Sequence, residues 1–320
     1  LRQLARLEEV RIRAEQEELA KEKAELELLL SSDARLKTLV KKELKASAEE
    51  YGDERRSALT ERTEAQAFSE KDLLTAEPVT VVLSDKGWLR AAKGHDIDPT
   101  SLNYKAGDKF LSSALGRSNQ NVFLQDTTGR FYALSAHTLP SARGQGEPAT
   151  GRLNPPSGSL FTHLVMGDDS QKILLGTDAG YGFVAKIGDL FTKNKAGKAV
   201  VSIPKGGKIL SPKLVSDENL LIAAVSNEGR LLAFPLSDLP ELSRGKGNKI
   251  INIPSSRLQA REEFVVDFAV IPEGGSLVVH SGKRYLVMKS KDLEHYRGER
   301  GRRGHKLPRG FQKVDRLEAE

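Results

Sequence analysis

The sequence has 320 residues, 38% hydrophobic and 29% charged, with a net charge of +6 and no cysteine. No run approaches the roughly 20 apolar residues of a membrane span, and the lack of thiols excludes disulfides, thiol catalysis and cysteine-based zinc sites and fits a reducing compartment. The charge is uneven: residues 1–77 hold 15 Lys and Arg against 19 Asp and Glu, whereas residues 78–320 hold 35 against 25, an excess that attracts polyanions.

Leu1 in place of Met, with no signal peptide after it, reads as a segment of a longer chain. From Leu1 to about Leu30 there is no Pro or Gly, and Ala, Leu, Glu, Lys and Arg dominate. Ile12, Leu19 and Leu26 recur every seven residues, with Leu4, Leu7, Leu29 and Leu30 near the same face. This predicts one strand of a coiled coil, about 45 Å long; the alternative is a single amphipathic helix on a globular core. Ser31-Ser32-Asp33 interrupts with cap-forming residues. A second helix is predicted from Asp33 to about Glu50, with Leu36, Leu39, Val40 and Leu44 as its apolar face and Tyr51-Gly52 as its end. Residues 57–77 read as a polar linker. The expected domains are 1–56, 57–77 and 78–320.

From Pro78 an element recurs: an apolar strand, a turn ending in Gly, a basic or aromatic residue, and a second strand. It appears at Val79–Leu83 with Asp85-Lys86-Gly87-Trp88 and at Val122–Leu124 with Asp126-Thr127-Thr128-Gly129-Arg130. It returns at Ile173–Leu175 with Asp178-Ala179-Gly180-Tyr181 and at Leu220–Val225 with Asn227-Glu228-Gly229-Arg230. The last is Leu277–Val279 with Ser281-Gly282-Lys283. Asp or Asn is expected to nucleate each turn, with Gly at the φ > 0 position of a bulged hairpin. The turn glycines are 42, 51, 49 and 53 residues apart. That period matches propeller blades of four strands and predicts five of them; the alternative is a β-sandwich. The fold class is mainly β, a five-bladed β-propeller behind an α-helical arm.

Each later hairpin precedes a loop mixing Gly with positive charge. These are Arg143-Gly144-Gln145-Gly146, Lys195-Ala196-Gly197-Lys198, Arg244-Gly245-Lys246-Gly247-Asn248-Lys249, and Gly298–Gly304 with Arg297, Arg300, Arg302 and Arg303. Gly would let backbone N–H groups approach phosphate, and the cations would supply charge. At equivalent places on successive blades they would form a curved basic band. The candidate DNA contacts are therefore Arg143, Lys195, Lys198, Arg244, Lys246, Lys249, Arg297, Arg300, Arg302 and Arg303, with Arg130 and Arg230 beside the turns. The first repeat departs, offering only Lys93-Gly94-His95 and Leu115-Gly116-Arg117-Ser118. Aromatics are 6% of the chain and fall mainly in strands, which favours duplex over the stacking platforms of single-strand binders.

Several stretches resemble the A-subunit family of type IIA topoisomerases. Leu29-Leu30-Ser31-Ser32-Asp33-Ala34-Arg35-Leu36, with Glu43-Leu44 and Tyr51-Gly52-Asp53-Glu54-Arg55-Arg56, resembles the segment between coiled-coil arm and C-terminal domain. The second half is similar to the topoisomerase IV branch at Pro140–Pro148, Asp178–Val184, Gly245–Pro254 and Gly298–Gly304. The resemblance implies a gyrase A C-terminal-like propeller, as an open or broken ring, that presents DNA for decatenation and relaxation. It implies an A-subunit homodimer, the topoisomerase IV B subunit as partner, and ATP and Mg2+ in the holoenzyme but no cofactor in this fragment. It also implies a cytoplasmic, nucleoid-associated complex, open to peripheral membrane association. The Gln-Arg-Arg-Gly-Gly-Lys-Gly box with which gyrase wraps DNA is absent. The family's cleavage tyrosine precedes the arm, and Tyr51, Tyr104, Tyr132, Tyr181, Tyr285 and Tyr296 match no catalytic motif. His95, His137, His163, His280, His295 and His305 show no metal-ligand spacing, so no catalytic or metal site is expected. The competing classes are a DNA-binding domain, a scaffold propeller with a dimerisation arm, a gyrase-like wrapping domain and, least supported, a propeller enzyme.

Overall fold

The computed structural model describes residues 2–53, 75–216 and 220–320. The chain divides into two compact units, Leu1–Ala67 and Phe68–Glu320. Of the expected linker, residues 57–74 lie outside the described residues.

The first unit holds helix α1, Arg2–Leu30, and helix α2, Asp33–Tyr51. Glu9–Arg13 at 2.9 Å and Glu17–Lys21 at 3.8 Å are i,i+4 pairs on α1, each worth a few tenths of a kcal/mol. The heptad residues Ile12, Leu19 and Leu26 are all exposed. The break between the helices differs from the expected cap: Ser32 is extended and makes no side-chain cap bond, while the Ser31 hydroxyl donates back to Leu28 O. Gly52 is not left-handed, with φ −74°. It is required for room, because a Cβ there would stand 2.1 Å from Ala48 O.

The second unit is built from five antiparallel sheets in chain order, four of four strands and the last of three. Each is centred on one predicted hairpin: Pro78–Ser84 with Trp88–Lys93, Asn121–Asp126 with Arg130–Ser135, Lys172–Thr177 with Tyr181–Lys186, Leu221–Ser226 with Arg230–Pro235, and Leu277–Ser281 with Arg284–Met288. All five turn glycines have positive φ, from 59° at Gly282 to 80° at Gly129. Asp126 holds its turn as expected, while in the first and fourth hairpins the bonding side chain sits one residue earlier than expected, at Ser84 and Ser226. Ser84 Oγ accepts from Trp88 N, Asp126 Oδ1 from Thr128 N and Arg130 N, and Ser226 Oγ from Arg230 N. Asp178 and Asn227 face neighbouring segments instead, accepting from Lys208 N and Phe264 N.

A third strand flanks the first strand of each hairpin: Phe110–Arg117, Phe161–Met166, Lys213–Val215, Val265–Ile271 and Arg316–Ala319. The fourth strand comes from further along the chain. Glu147–Pro148, Lys198–Ala199, Asn248–Lys249 and His305–Lys306 each follow the next repeat's hairpin, yet pair with the sheet before it. The fifth sheet receives no such strand among the described residues.

Residues alternate between two cores along each hairpin. Val122 and Leu124 join the cluster with Leu83 and Leu89, while Phe123 and Phe131 join Ile173 and Phe183. Further clusters lie between sheets three and four, around Phe234 and Phe268, and between sheets four and five, around Leu277 and Val279. Among the described residues no cluster joins sheet five to sheet one, so the row is open. The outer face of sheet one is covered by its own segment 94–109, where Arg90 lies against the Tyr104 ring and Thr80 Oγ donates to Gly94 O. The first repeat has no preceding sheet to which it could send an exchanged strand, and its loop departs in sequence accordingly. The outer face of sheet five leaves Tyr285 and Val287 exposed.

The third strands also share a polar seam. Ser112 Oγ accepts from Leu164 N, and His163 Nδ1 lies 3.1 Å from Gln125 Oε1. Lys213 pairs with Asp267 at 3.0 Å, and Asp267 Oδ2 accepts from Leu317 N. These bonds link sheet one to sheet two, and sheets three, four and five to one another.

Candidate nucleic-acid interface

The four basic loops lead directly into the four exchanged strands. Each loop runs beside the second hairpin strand of the preceding sheet, bridging in parallel at Ala91–Ser141, Val184–Glu241 and Ala233–Arg297. It then pairs with the first two residues after that hairpin's turn. Glu147–Pro148 lies on Trp88–Leu89, Lys198–Ala199 on Arg130–Phe131, Asn248–Lys249 on Tyr181–Gly182, and His305–Lys306 on Arg230–Leu231. The loops are therefore equivalent in register, not merely in sequence.

Their glycines have a second use that the sequence pattern did not reveal. Gly304 has φ +71°, and a Cβ there would fall 2.4 Å from Leu231 O. The residue lets the loop press against the preceding strand. The close approach that the Gly pattern suggested is here made to the protein's own backbone.

The predicted cations fall into two groups. Arg143, Lys195, Arg244 and Lys246 are exposed, and among the described residues no ion pair or hydrogen bond holds the side chain of Arg143, Lys195 or Arg244, the Arg143 backbone N–H alone donating to Ser141 Oγ. Lys246 Nζ sits 3.9 Å from the centre of the Tyr181 ring, with Lys249 further off at 5.9 Å. A cation over an aromatic face is held without losing its charge. Arg302 and Arg297 are exposed but paired with Glu299 at 2.8 Å and Glu294 at 3.2 Å. Such surface pairs contribute about 0–1 kcal/mol and exchange readily for a phosphate.

The remaining cations face inward. Lys198 Nζ donates to Asp189 O, and Lys249 Nζ to Asn252 Oδ1. Arg130 donates to Ala196 O and Gly197 O, Arg230 to Gly304 O, and Arg300 to Lys249 O. Arg303 makes a two-oxygen contact with Glu263, at 2.6 and 2.7 Å, and that carboxylate is fully buried. Arg257, on the short helix Ser255–Gln259, holds the same carboxylate at 2.8 Å.

Two residues at these loops were absent from the sequence-based set. Tyr181 was visible as the aromatic after its turn glycine, but its pairing with Lys246 spans 65 positions. Arg90 is buried and donates to Asn103 O and Gly144 O. Its signal was weak because it lies three residues past Gly87, not one. Asp98 caps the local turn by accepting from Thr100 N and Oγ1. Those bonds hold its carboxyl below the ordinary carboxylate range.

A family model described as DNA gyrase C-terminal domain, beta-propeller, matches residues 171–216 and 221–272. The A subunit of DNA topoisomerase 4 from Pseudomonas aeruginosa is 59% identical over 318 residues, 99% of this chain. The corresponding protein from Escherichia coli strain K12 is 51% identical over 320 residues. The chain spans 42% of the length of each of these relatives. The solved structure of the E. coli ParC C-terminal domain is 49% identical with a TM-score of 0.70, covering 76% of this chain and 99% of that one. A solved gyrase A C-terminal domain, at 16% identity and a TM-score of 0.56, shares the fold. With 49% identity over 99% of the ParC domain, and with whole-chain similarity to the larger proteins that contain it, the chain belongs to the A-subunit family of topoisomerase IV, in its C-terminal region.

Proposed function

We propose that this chain is the duplex-DNA-binding C-terminal part of the topoisomerase IV A subunit, and that it presents the transported segment for decatenation and supercoil relaxation. The observation that carries this reading is the equivalent register of the four basic loops, each set on the first two residues after a turn. Equivalent loops on successive sheets place phosphate-seeking cations along one path. The sheets are blades of a five-bladed propeller that stays open between the fifth and the first, and α1 is one strand of a coiled-coil arm. In the holoenzyme the A subunit is a homodimer, the B subunit is its partner, and ATP and Mg2+ act outside this region. Its place is the cytoplasm, at the nucleoid.

Electrophoretic shift of duplex DNA over a salt series tests the binding. Arg244→Ala with Lys246→Ala should weaken binding and flatten the plot of log K against log salt by about 0.9 for each phosphate interaction removed. The melting temperature should stay close to that of the parent, because exposed substitutions usually cost less than about 0.5 kcal/mol. Unchanged affinity and slope in a folded variant would remove this loop from the DNA path. Presentation is tested separately, in the full-length enzyme lacking residues 78–320. It should retain some relaxation and lose its preference among supercoil handedness and catenated substrates. Parental rates on every topology would refute presentation.

A further inference from the structure

We infer that Arg90, Arg130 and Arg230 are positioning residues, which hold the basic loops at a fixed angle and touch no phosphate themselves. The inference rests on the DNA-binding reading above.

Each of these guanidiniums comes from the second hairpin strand of one sheet and donates to carbonyls of the loop that returns to that sheet. Arg90 holds Gly144 O at 3.1 Å, Arg130 holds Ala196 O and Gly197 O at 3.2 Å each, and Arg230 approaches Gly304 O at 3.4 Å. Sheet three has Tyr181 in the place of Arg130 and Arg230, directly after the turn glycine, and there the contact is with the loop's own Lys246 and Lys249. Four of four loop-bearing sheets therefore grip the loop from the same side with a different residue type in one of them. The shared feature is the grip, not the charge.

The chemistry explains why a grip is needed. A loop such as Lys195-Ala196-Gly197-Lys198 concentrates like charges on a Gly-containing backbone, which favours disorder in the unbound state. An inward guanidinium engages the loop's carbonyl oxygens and leaves the exposed cation of that loop, Arg143 beside Arg90 and Lys195 beside Arg130, toward solvent. Ordering the loop before binding removes an entropic cost that would otherwise fall on the DNA complex. Charge-assisted donors to carbonyls are among the stronger hydrogen bonds.

The test uses Arg130→Gln and Arg230→Gln in the 320-residue chain, in separate repeats so that a folding defect in one leaves the other informative. Duplex affinity should fall roughly tenfold in each, while the salt slope stays at the parental value because no phosphate interaction is removed. Amide hydrogen exchange should rise at 194–198 in the first variant and at 301–305 in the second, without DNA present. A slope lowered by about 0.9 with unchanged loop exchange would mean direct phosphate contact and would overturn the inference. Parental affinity and parental exchange together would overturn it as well. If the parent chain itself fails to bind duplex, the DNA reading fails, and the exchange data still decide separately whether the arginines hold the loops.

Discussion

Replacing Arg257 and Arg303 together by Gln should cost about 3–5 kcal/mol of stability, the range for stranding one partner of a buried ion pair. Glu263 is fully buried, and these two guanidiniums hold it at 2.8 and 2.6 Å. Arg257 also reaches Glu228 at 3.2 Å, in the turn of the fourth hairpin. The network therefore ties a turn, a short helix and the last basic loop together. With both arginines gone, a carboxylate remains in a site built for two cations. Adding Glu263→Gln to the double variant should recover much of the loss, because the stranded charge is removed. Chemical denaturation of the three chains reads this directly, and equal stabilities would sink the account. The result also bears on binding: weakened DNA affinity in an Arg303 variant would reflect the fold before it reflected a missing phosphate interaction.

Stability should also decline as pH falls from about 6.5 to 4, with His163 responsible for a part of order 3 kcal/mol. Burial pushes its imidazole down to about 4, Lys213 adds to the shift, and Asp267 opposes it. The ordinary value is about 6.5. Between the two the unfolded chain binds a proton that the native chain refuses, so the stabilisation is complete above about 6.5 and disappears toward 4. Carboxylates contribute their own loss at the acid end of this window, so the comparison must be with a variant. His163→Gln keeps a polar group opposite Gln125 and should flatten the profile between pH 6.5 and 4.5. Parallel profiles for the two chains would show that His163 is not the group that titrates.

The hairpins were legible because everything that specifies them is local. Gly129 with its positive φ, Asp126 at the turn and the alternation Val122, Phe123, Leu124 lie within eight residues. The helices were legible for the same reason. The exchanged strands were not, since Lys198–Ala199 is two residues long and no period can be read from a pair. Its partners Arg130 and Phe131 lie 68 residues back. The inward turn of Arg130, Arg230 and Arg303 was hidden likewise: a cation beside a glycine reads alike in sequence whether its target is a phosphate or a carbonyl. Arg143 and Arg244 share with Arg303 the same pattern of charge beside glycine, and the placement of Glu263 separates them.

The exchanged strands put the unit that repeats in the chain out of step with the unit that stands in space. A cut at any boundary between repeats leaves one sheet without its last strand and the next repeat with a strand that has nowhere to pair. During synthesis the same offset imposes an order. The first sheet cannot be finished until residue 148 has left the ribosome, by which point the second hairpin is already made, and each later sheet through the fourth waits on its successor in turn. The nascent domain therefore grows with one raw edge at its advancing end, closed only by the arrival of the following repeat.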